Sequence, residues 1–507
     1  MRLLELLENQ SVIIVENADP IGDVEITEIC HSSSRVEEGS LYIAIEGLRF
    51  DGHAFIGDAV KKGAAAIAVT KCAIDDGRID PSGLRIPIIV CENTRRLMSC
   101  LYSVWYGEPH KNLKMIGVTG TNGKTSVSRL IYEMLRRSGR RCALIGTVGC
   151  RTDKRRLEEK NDDPNANMTT PDPEQLFKML REAVLDGCEY AVMEVTSHAL
   201  YFDKVAPICF DIGVFTNLTE DHLDLHGDMD SYFAAKERLF LQSKRAVINY
   251  DDRYGRILAE RIDIPMILCS GEGRGTACSI EDVRLHGEKG IEYKLTSRNL
   301  RLRIRSPLVG GYNVTNTALA AVSAQLLGLS AVEIKDGLAH FSGIEGRLQR
   351  LKFSERVDFS VYLDYAHTPD ALENLLRAVR GFTPPEKRIV LLFGCGGDRD
   401  RGKRANMGKI AADMADMVIV TSDNSRSEDA ADIIADVLRG MDGISIASYR
   451  VIEDRRAAIE YAIKNARRGD VILLAGKGHE NYEITRDGRK RFCESEIVSE
   501  YVRKYYG

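Results

Sequence analysis

No basic block or Arg/Lys stripe runs through this 507-residue chain, whose formal charge is only −5. Nothing in it therefore points to a nucleic-acid or anionic-membrane surface. No apolar run approaches the ~20 residues that cross a bilayer. The leucines of residues 1–10 are interrupted by Glu5 and Glu8, so an uninterrupted signal-peptide core is missing as well. A cytoplasmic protein is expected, with no nucleic acid and no membrane insertion. The twelve cysteines form no C-x-x-C pair and no Cys/His spacing of a zinc site, which reads as reduced, mostly buried thiols. Internal repeats and low-complexity segments are also lacking. What is present is 44% apolar content in a length that suits roughly two to four domains. Small-molecule chemistry is the expectation.

The most informative stretch is Gly120-Thr121-Asn122-Gly123-Lys124-Thr125, between a short apolar strand at 115–118 and an amphipathic helix. Val127, Leu130, Ile131, Met134 and Leu135 recur at helical spacing, and Gly139 supplies a stop. A strand, glycine loop and helix in this order let backbone N–H groups cradle phosphate oxygens. Lys124 would then reach the outer phosphates, and the Thr125 hydroxyl would ligate Mg²⁺. ATP binding is the implication, although Val118 stands where the first glycine of the full G-x-x-x-x-G-K-[ST] pattern belongs.

Three regions follow from the hydrophobic pattern. Residues 1–110 mix strand-like runs (41–45, 65–69, 86–90) with helical stretches, ending near Gly107-Glu108-Pro109. Residues 111–346 hold the phosphate loop, strands at 190–195 and 212–215, and a β-rich stretch at 277–308. From 347 to 507, strands at 361–364, 389–393, 418–421, 444–448 and 471–475 alternate with helices, which predicts a parallel sheet covered on both faces. Ligands in such sheets collect at the carboxyl ends of strands. Those ends carry Asp364, the 394–399 glycine loop, Asp423-Asn424 and Gly476-Lys477-Gly478-His479-Glu480.

In the middle region, Glu194 closes one apolar strand and His222 follows another. Facing a nucleotide, a carboxylate or imidazole there is placed to hold Mg²⁺ beside Thr125. Asp221 and Asp224, taken alone, also carry the lesser reading of a solvated acidic loop. Ser197-His198 does not read as a hydrolase pair, because no G-x-S-x-G elbow encloses the serine.

Taken in order, T-G-T-N-G-K-T, E-V-T-S-H-A-L, F-T-N-L-T-E-D-H-L-D-L-H-G, Y-F-A-A-K-E-R-L-F, G-G-Y-N-V-T-N, G-R-L-Q-R, D-Y-A-H-T-P, G-C-G-G-D-R-D-R-G-K-R and G-K-G-H-E resemble the Mur ligase family across nearly the whole chain. The resemblance implies three α/β domains: an N-terminal uridine-nucleotide-binding domain (1–110), a central P-loop ATPase-like domain (111–346) and a C-terminal Rossmann-like parallel sheet (347–507). It implies an ATP-dependent ligase of peptidoglycan precursor synthesis. Such an enzyme phosphorylates the terminal carboxylate of a UDP-linked muramoyl peptide, and an amino acid's amine then attacks the acyl phosphate.

By the same resemblance, Gly120, Thr121, Asn122, Gly123, Lys124, Thr125, Asn316, Arg347 and Asp364 serve ATP. Lys124, Glu194, His222 and Lys236 are catalytic. Two Mg²⁺ ions are expected on Thr125, Glu194, His222 and Lys236, the last as a CO₂-derived carbamate. Without that modification Lys236 would repel the metal.

For the UDP-substrate, Ser34, Thr169 and Thr170 match the family. Thr196 stands where Ser is usual and Lys204 where Arg is common; Met168 and Phe202 also depart. For the incoming amino acid, Arg399, Asp423, Asn424, Arg426, Gly476 and Glu480, with Ser425 among them as the departure, follow the pattern of family members that add meso-diaminopimelate. A guanidinium suits its distal carboxylate and an acid its distal ammonium. Ser425 replaces the proline of D-N-P-R, and losing that fixed φ predicts a looser, less selective loop. The acceptor implied is UDP-N-acetylmuramoyl-L-alanyl-D-glutamate, and a monomer is expected. Lysine or another diamino acid, a folylpolyglutamate-synthetase-like paralogue, and a P-loop ATPase without ligation remain alternatives at this stage.

Overall fold

A computed structural model describes residues 1–15, 23–47, 50–157, 168–443 and 449–507. Among them, three large sheets follow one another along the chain. The first has five strands in the order Ile13–Val15, Ile88–Cys91, Ala66–Thr70, Ser40–Ile43, Glu28–Cys30, and only Ile13–Val15 runs antiparallel.

The second sheet has nine strands, with Lys114–Thr119 between Ile212–Phe215 and Tyr190–Glu194. From Lys114–Thr119 the chain builds one side with Cys142–Ile145 and Tyr190–Glu194. It then reverses to lay Ile212–Phe215, Ala246–Asn249 and Met266–Ser270 on the other. That reversal puts a switch point at the carboxyl end of Lys114–Thr119, where open parallel sheets bind ligands. Covered on both faces, this strand carries Met115, Ile116 and Val118 in a near-continuous apolar run. The helix Lys124–Arg137 buries Val127, Leu130, Ile131, Met134 and Leu135 against the helices Tyr312–Leu326 and Ala331–Ala339. Just past it, Gly139 takes a φ of 77°, a left-handed exit. The β-rich stretch extends this same sheet: Cys278–Leu285 pairs parallel with Met266–Ser270, and Ile291–Ser297 and Leu300–Ser306 add on antiparallel.

The third sheet runs Gln349–Arg350, Ser360–Asp364, Val471–Ala475, Ile389–Phe393, Met417–Val420, Tyr449–Val451, parallel except for its first strand. Alternate residues feed two cores. Leu391 and Phe393 pack with the helices Pro369–Arg380, Gly402–Met414 and Ala430–Arg439, while Val390 and Leu392 pack with Arg455–Lys464 and Glu494–Tyr506. The strand expected at 444–448 lies outside the described residues. All twelve cysteines are free thiols, most of them buried. No helix among the described residues is long and apolar enough to cross a membrane.

Candidate active site

The phosphate loop is shaped by the end of the neighbouring strand. Gly120 holds a φ of 145°, and a Cβ there would collide with the Thr216 hydroxyl. Gly123 holds a φ of 87°, and a Cβ there would lie 2.6 Å from Asn316 Oδ1. Only glycine fits either place. Asn217 fixes the loop from outside, its carbonyl accepting from Thr121 N and its Oδ1 from Asn122 N, both at 2.9 Å. Lys124 Nζ folds back over the loop, donating to the carbonyls of Gly120 and Thr121 at 2.9 Å each. Burial holds this ammonium's pKa below its ordinary value.

A group of oxygens suited to a hard cation sits beside the loop. Thr125 Oγ1 donates to Glu194 Oε2 at 2.9 Å. Thr147 donates to both oxygens of the same carboxylate, from its N–H at 2.8 Å and its hydroxyl at 3.0 Å. Arg347 Nη2, 222 residues along the chain, reaches Thr125 Oγ1 at 3.2 Å. Carboxylate and hydroxyl oxygens are the donor set that Mg²⁺ takes, so the pair Thr125–Glu194 fits the metal.

His222 stands apart from that pair, and no hydrogen bond joins them among the described residues. It takes a left-handed φ of 56°, lies 3.4 Å from Asp221 Oδ2, and meets the His198 ring edge-on at 4.7 Å. Burial lowers the pKa of its imidazole, against the opposing pull of the Asp221 carboxylate. Among the described residues Ser197 Oγ is buried without a hydrogen-bond partner, so no base is engaged with it.

Lys236, on the helix Met229–Leu241, is 2% exposed, and its Nζ donates to Gly120 O at 2.9 Å. Two lysines thus converge on one carbonyl. Burial first, and the Lys124 charge second, push the Lys236 amine's pKa well below the usual lysine value. A neutral amine is the form that reacts with CO₂, and a carbamate here would lie beside the Lys124 cation. The site therefore fits that modification.

A cavity of about 180 Å³ opens between the second and third sheets, lined by Asn122, Gly123, Thr125, Asn316, Arg347 and Asp364 together. Asp364 is fixed by the N–H groups of Leu348 at 2.6 Å and Ala366 at 2.8 Å, and burial raises its pKa. The walls also include Tyr312, Asn313, Asn374 and Leu375, which sequence reasoning missed. Tyr312 and Asn313 lie inside the G-G-Y-N-V-T-N motif and could have been drawn from it.

Thr169, Thr170 and Thr196 gather behind Glu194. Thr169 Oγ1 meets Thr147 Oγ1 at 3.0 Å, and Thr170 Oγ1 donates to the Glu194 carbonyl at 2.9 Å. Thr196 caps the helix Ser197–Tyr201 by accepting from Ala199 N at 3.2 Å, a task any hydroxyl performs, so its departure from serine costs little. Lys204 is paired with Asp172 at 2.7 Å and donates to Met168 Sδ at 3.4 Å. Ser34 is separate from these threonines, exposed on the first domain with Ser32 Oγ at 2.8 Å.

On the third domain, Asp423, Asn424, Arg426, Gly476 and Glu480 form one cluster. Arg426 Nη1 donates to Gly397 O at 2.8 Å and Asn424 O at 3.3 Å. Asn424 Nδ2 donates to Glu480 Oε2 at 2.8 Å, and Tyr365 OH donates to Glu480 Oε1 at 3.2 Å. A Cβ on Gly476 would lie 2.6 Å from Asp423 Oδ2. Arg399 is exposed at the rim, donating to Asp398 O at 3.0 Å. Around Ser425 the loop is hydrogen-bonded on both sides. Ser425 is buried, Gly397 N donates to Asn424 O at 2.9 Å, and Arg426 N donates to Ile484 O at 3.1 Å. Ile484 belongs to the hairpin Tyr482–Thr485/Gly488–Arg491, which packs against the loop through this bond.

Three family models match the chain: Mur ligase family, catalytic domain, at residues 25–106; Mur ligase middle domain at 118–324; and Mur ligase, glutamate ligase domain, at 346–478. A UDP-N-acetylmuramoyl-L-alanyl-D-glutamate–2,6-diaminopimelate ligase of Clostridium acetobutylicum is 41% identical over 96% of both chains. The chain belongs to the Mur ligase family. A ligase of the same description from Syntrophomonas wolfei is 39% identical over 99% of both chains. A solved structure of such a ligase, 31% identical, superposes with a TM-score of 0.66 over 100% of this chain and 99% of that one. Mur ligases are ATP-dependent, in keeping with the phosphate loop.

In this Mur ligase the seam between the second and third domains carries contacts that no single motif announces. Asn122 Nδ2 donates to Asp370 Oδ2 at 2.8 Å, and Arg350 pairs with Glu288 at 2.7 Å. Lys403 lies 3.4 Å from Asp221, both side chains buried. Burial works against the Asp221 charge, but His222 and Lys403 outweigh it and hold the carboxyl well below its usual range. Lys403 sits within G-C-G-G-D-R-D-R-G-K-R, from which only Arg399 was drawn as a site residue.

Proposed function

We propose that this Mur ligase uses ATP to join meso-diaminopimelate to UDP-N-acetylmuramoyl-L-alanyl-D-glutamate. One observation carries the reading: Arg426, Asn424 and Glu480 form a single hydrogen-bonded cluster at strand ends of the domain whose Arg347 touches Thr125 of the phosphate loop. The naming of relatives about 40% identical over the whole length supports the same substrates.

The acceptor's terminal carboxylate attacks the γ-phosphorus of ATP, giving an acyl phosphate and ADP. The amino acid's amine then attacks the acyl carbon, losing a proton and expelling phosphate, and an amide remains. Lys124 stabilises charge on the transferring phosphoryl oxygens, and the loop N–H groups hold the adjoining phosphates. Thr125 and Glu194 would hold one Mg²⁺ and His222, with carbamylated Lys236, the second; when bound, these ions offset phosphate charge. Thr147 keeps Glu194 oriented, and Arg347 closes the site from the third domain. Thr169, Thr170, Thr196 and Lys204 would face the muramoyl peptide, and Ser34 the uridine end. On the amino acid, Arg426 and Arg399 would grip the distal carboxylate and Glu480 the distal ammonium.

The test is whether ADP release by the purified protein requires both the UDP-linked dipeptide and a diamino acid, with meso-diaminopimelate preferred among stereoisomers, lysine and ornithine. ATP hydrolysis without either co-substrate would defeat the proposal. Closure of the third domain is part of it, since Arg347 and Thr125 meet across the seam. Small-angle scattering or paired spectroscopic labels should report the short domain separations of this structure when an ATP analogue and acceptor are added together, and longer ones without them. Unchanged distances would remove closure from the mechanism.

A further inference from the structure

Lys477 is 0% exposed in its side chain, a rare state for lysine. An ammonium donates three hydrogen bonds and accepts none. Here it has three oxygens: Asp423 Oδ1 at 3.2 Å, Asn424 Oδ1 at 3.0 Å and Tyr482 O at 3.1 Å. Asn424 Oδ1 also accepts from Ile484 N at 2.9 Å. Two donors therefore fix which way the Asn424 amide faces, because its NH₂ cannot meet either of them. The NH₂ is left pointing at Glu480 Oε2, 2.8 Å away, while Tyr365 OH holds the other carboxylate oxygen at 3.2 Å. Lys477 also offsets the charge of Asp423, together with Arg455.

We infer that Lys477 is a positioning residue for the amino-acid pocket: through Asn424 and Asp423 it sets the Glu480 carboxylate as the receptor for the distal ammonium of a diamino acid. The inference rests on the substrate reading above and deepens it. Lys477 does not itself touch the substrate, since all three of its hydrogens are spent inside the protein.

The full-length Lys477→Met variant tests it, with meso-diaminopimelate as the probe. Its diaminopimelate KM should rise about 10- to 100-fold, the loss expected when hydrogen bonds to charged groups go. The ATP KM and the amount of acyl phosphate trapped with hydroxylamine should stay within roughly twofold, because neither depends on Glu480. If Lys477→Met does not fold, Lys477→Gln, which loses the charge but can still donate to one of the three oxygens, is judged by the same split. An unchanged diaminopimelate KM would overturn the inference. So would parallel loss of acyl-phosphate formation and ligation in both variants, which would make Lys477 a structural lysine only. A wild-type protein that ignores diaminopimelate but ligates lysine would instead sink the substrate reading, and the Lys477 comparison would then be decided on the lysine KM.

Discussion

Lys236→Ala is expected to lose ligation almost completely, by about a thousandfold or more if the group stabilises transferring charge, and to recover part of it when a short carboxylic acid is added to the buffer. The reason is electrostatic. Lys236 Nζ and Lys124 Nζ both donate to the Gly120 carbonyl at 2.9 Å. A second buried cation beside Lys124 would be repelled by the metal that the site fits, and burial holds the amine's pKa far down. Carbamylation changes the sign: the neutral amine takes up CO₂ and releases a proton, leaving an anion next to Lys124. Lys236→Arg, which cannot form a carbamate and keeps the cavity filled, should be equally inactive and should not be rescued. Mass spectrometry of the native protein in bicarbonate should show the added carboxylate. Full activity in CO₂-depleted buffer with an unmodified lysine would defeat the assignment.

What the sequence discloses is what is local. The apolar strand, the glycine turn and the 3.6-residue repeat of Val127, Leu130, Ile131, Met134 and Leu135 lie within about twenty residues, so strand, loop and helix are readable together. Val118 in place of a glycine is explained by structure: it belongs to the buried strand Lys114–Thr119, and the turn begins at Gly120. Pairing between distant segments was not readable. Nothing in residues 277–308 says that Cys278–Leu285 joins the sheet of the phosphate loop, because strand register is decided by tertiary partners. The same limit hid the supports of the site. Thr147 carries no pattern of its own, and Lys477, although it lies inside G-K-G-H-E, gives no sign there of its partners; each matters because it meets a carboxylate or amide that another part of the chain delivers. Ser425 illustrates the converse. A loop judged by its own residues lacks a proline, yet Ile484, 59 positions beyond Ser425, takes the N–H of Arg426 and ties the loop down.

Arg426→Ala should cut the use of meso-diaminopimelate by about 2–5 kcal/mol, the cost of removing one partner of a desolvated charge pair, while ATP binding hardly moves. Arg426 already holds a φ of 52°. Alanine carries the same left-handed strain, so the loss reports the guanidinium rather than the backbone. Its Nη1 is held by Gly397 O and Asn424 O, which aims the side chain without exhausting its five N–H donors. Arg426→Lys should be intermediate, keeping the charge and losing the two-pronged geometry. Lysine as substrate has no distal carboxylate, so it should be used poorly before and after the change, and the preference between the two amino acids should narrow. Competition assays with diaminopimelate stereoisomers, lysine and ornithine decide the matter. Equal loss of both amino acids would show that Arg426 supports the loop instead of gripping the carboxylate, and the exposed Arg399 would then be the remaining cation for that role.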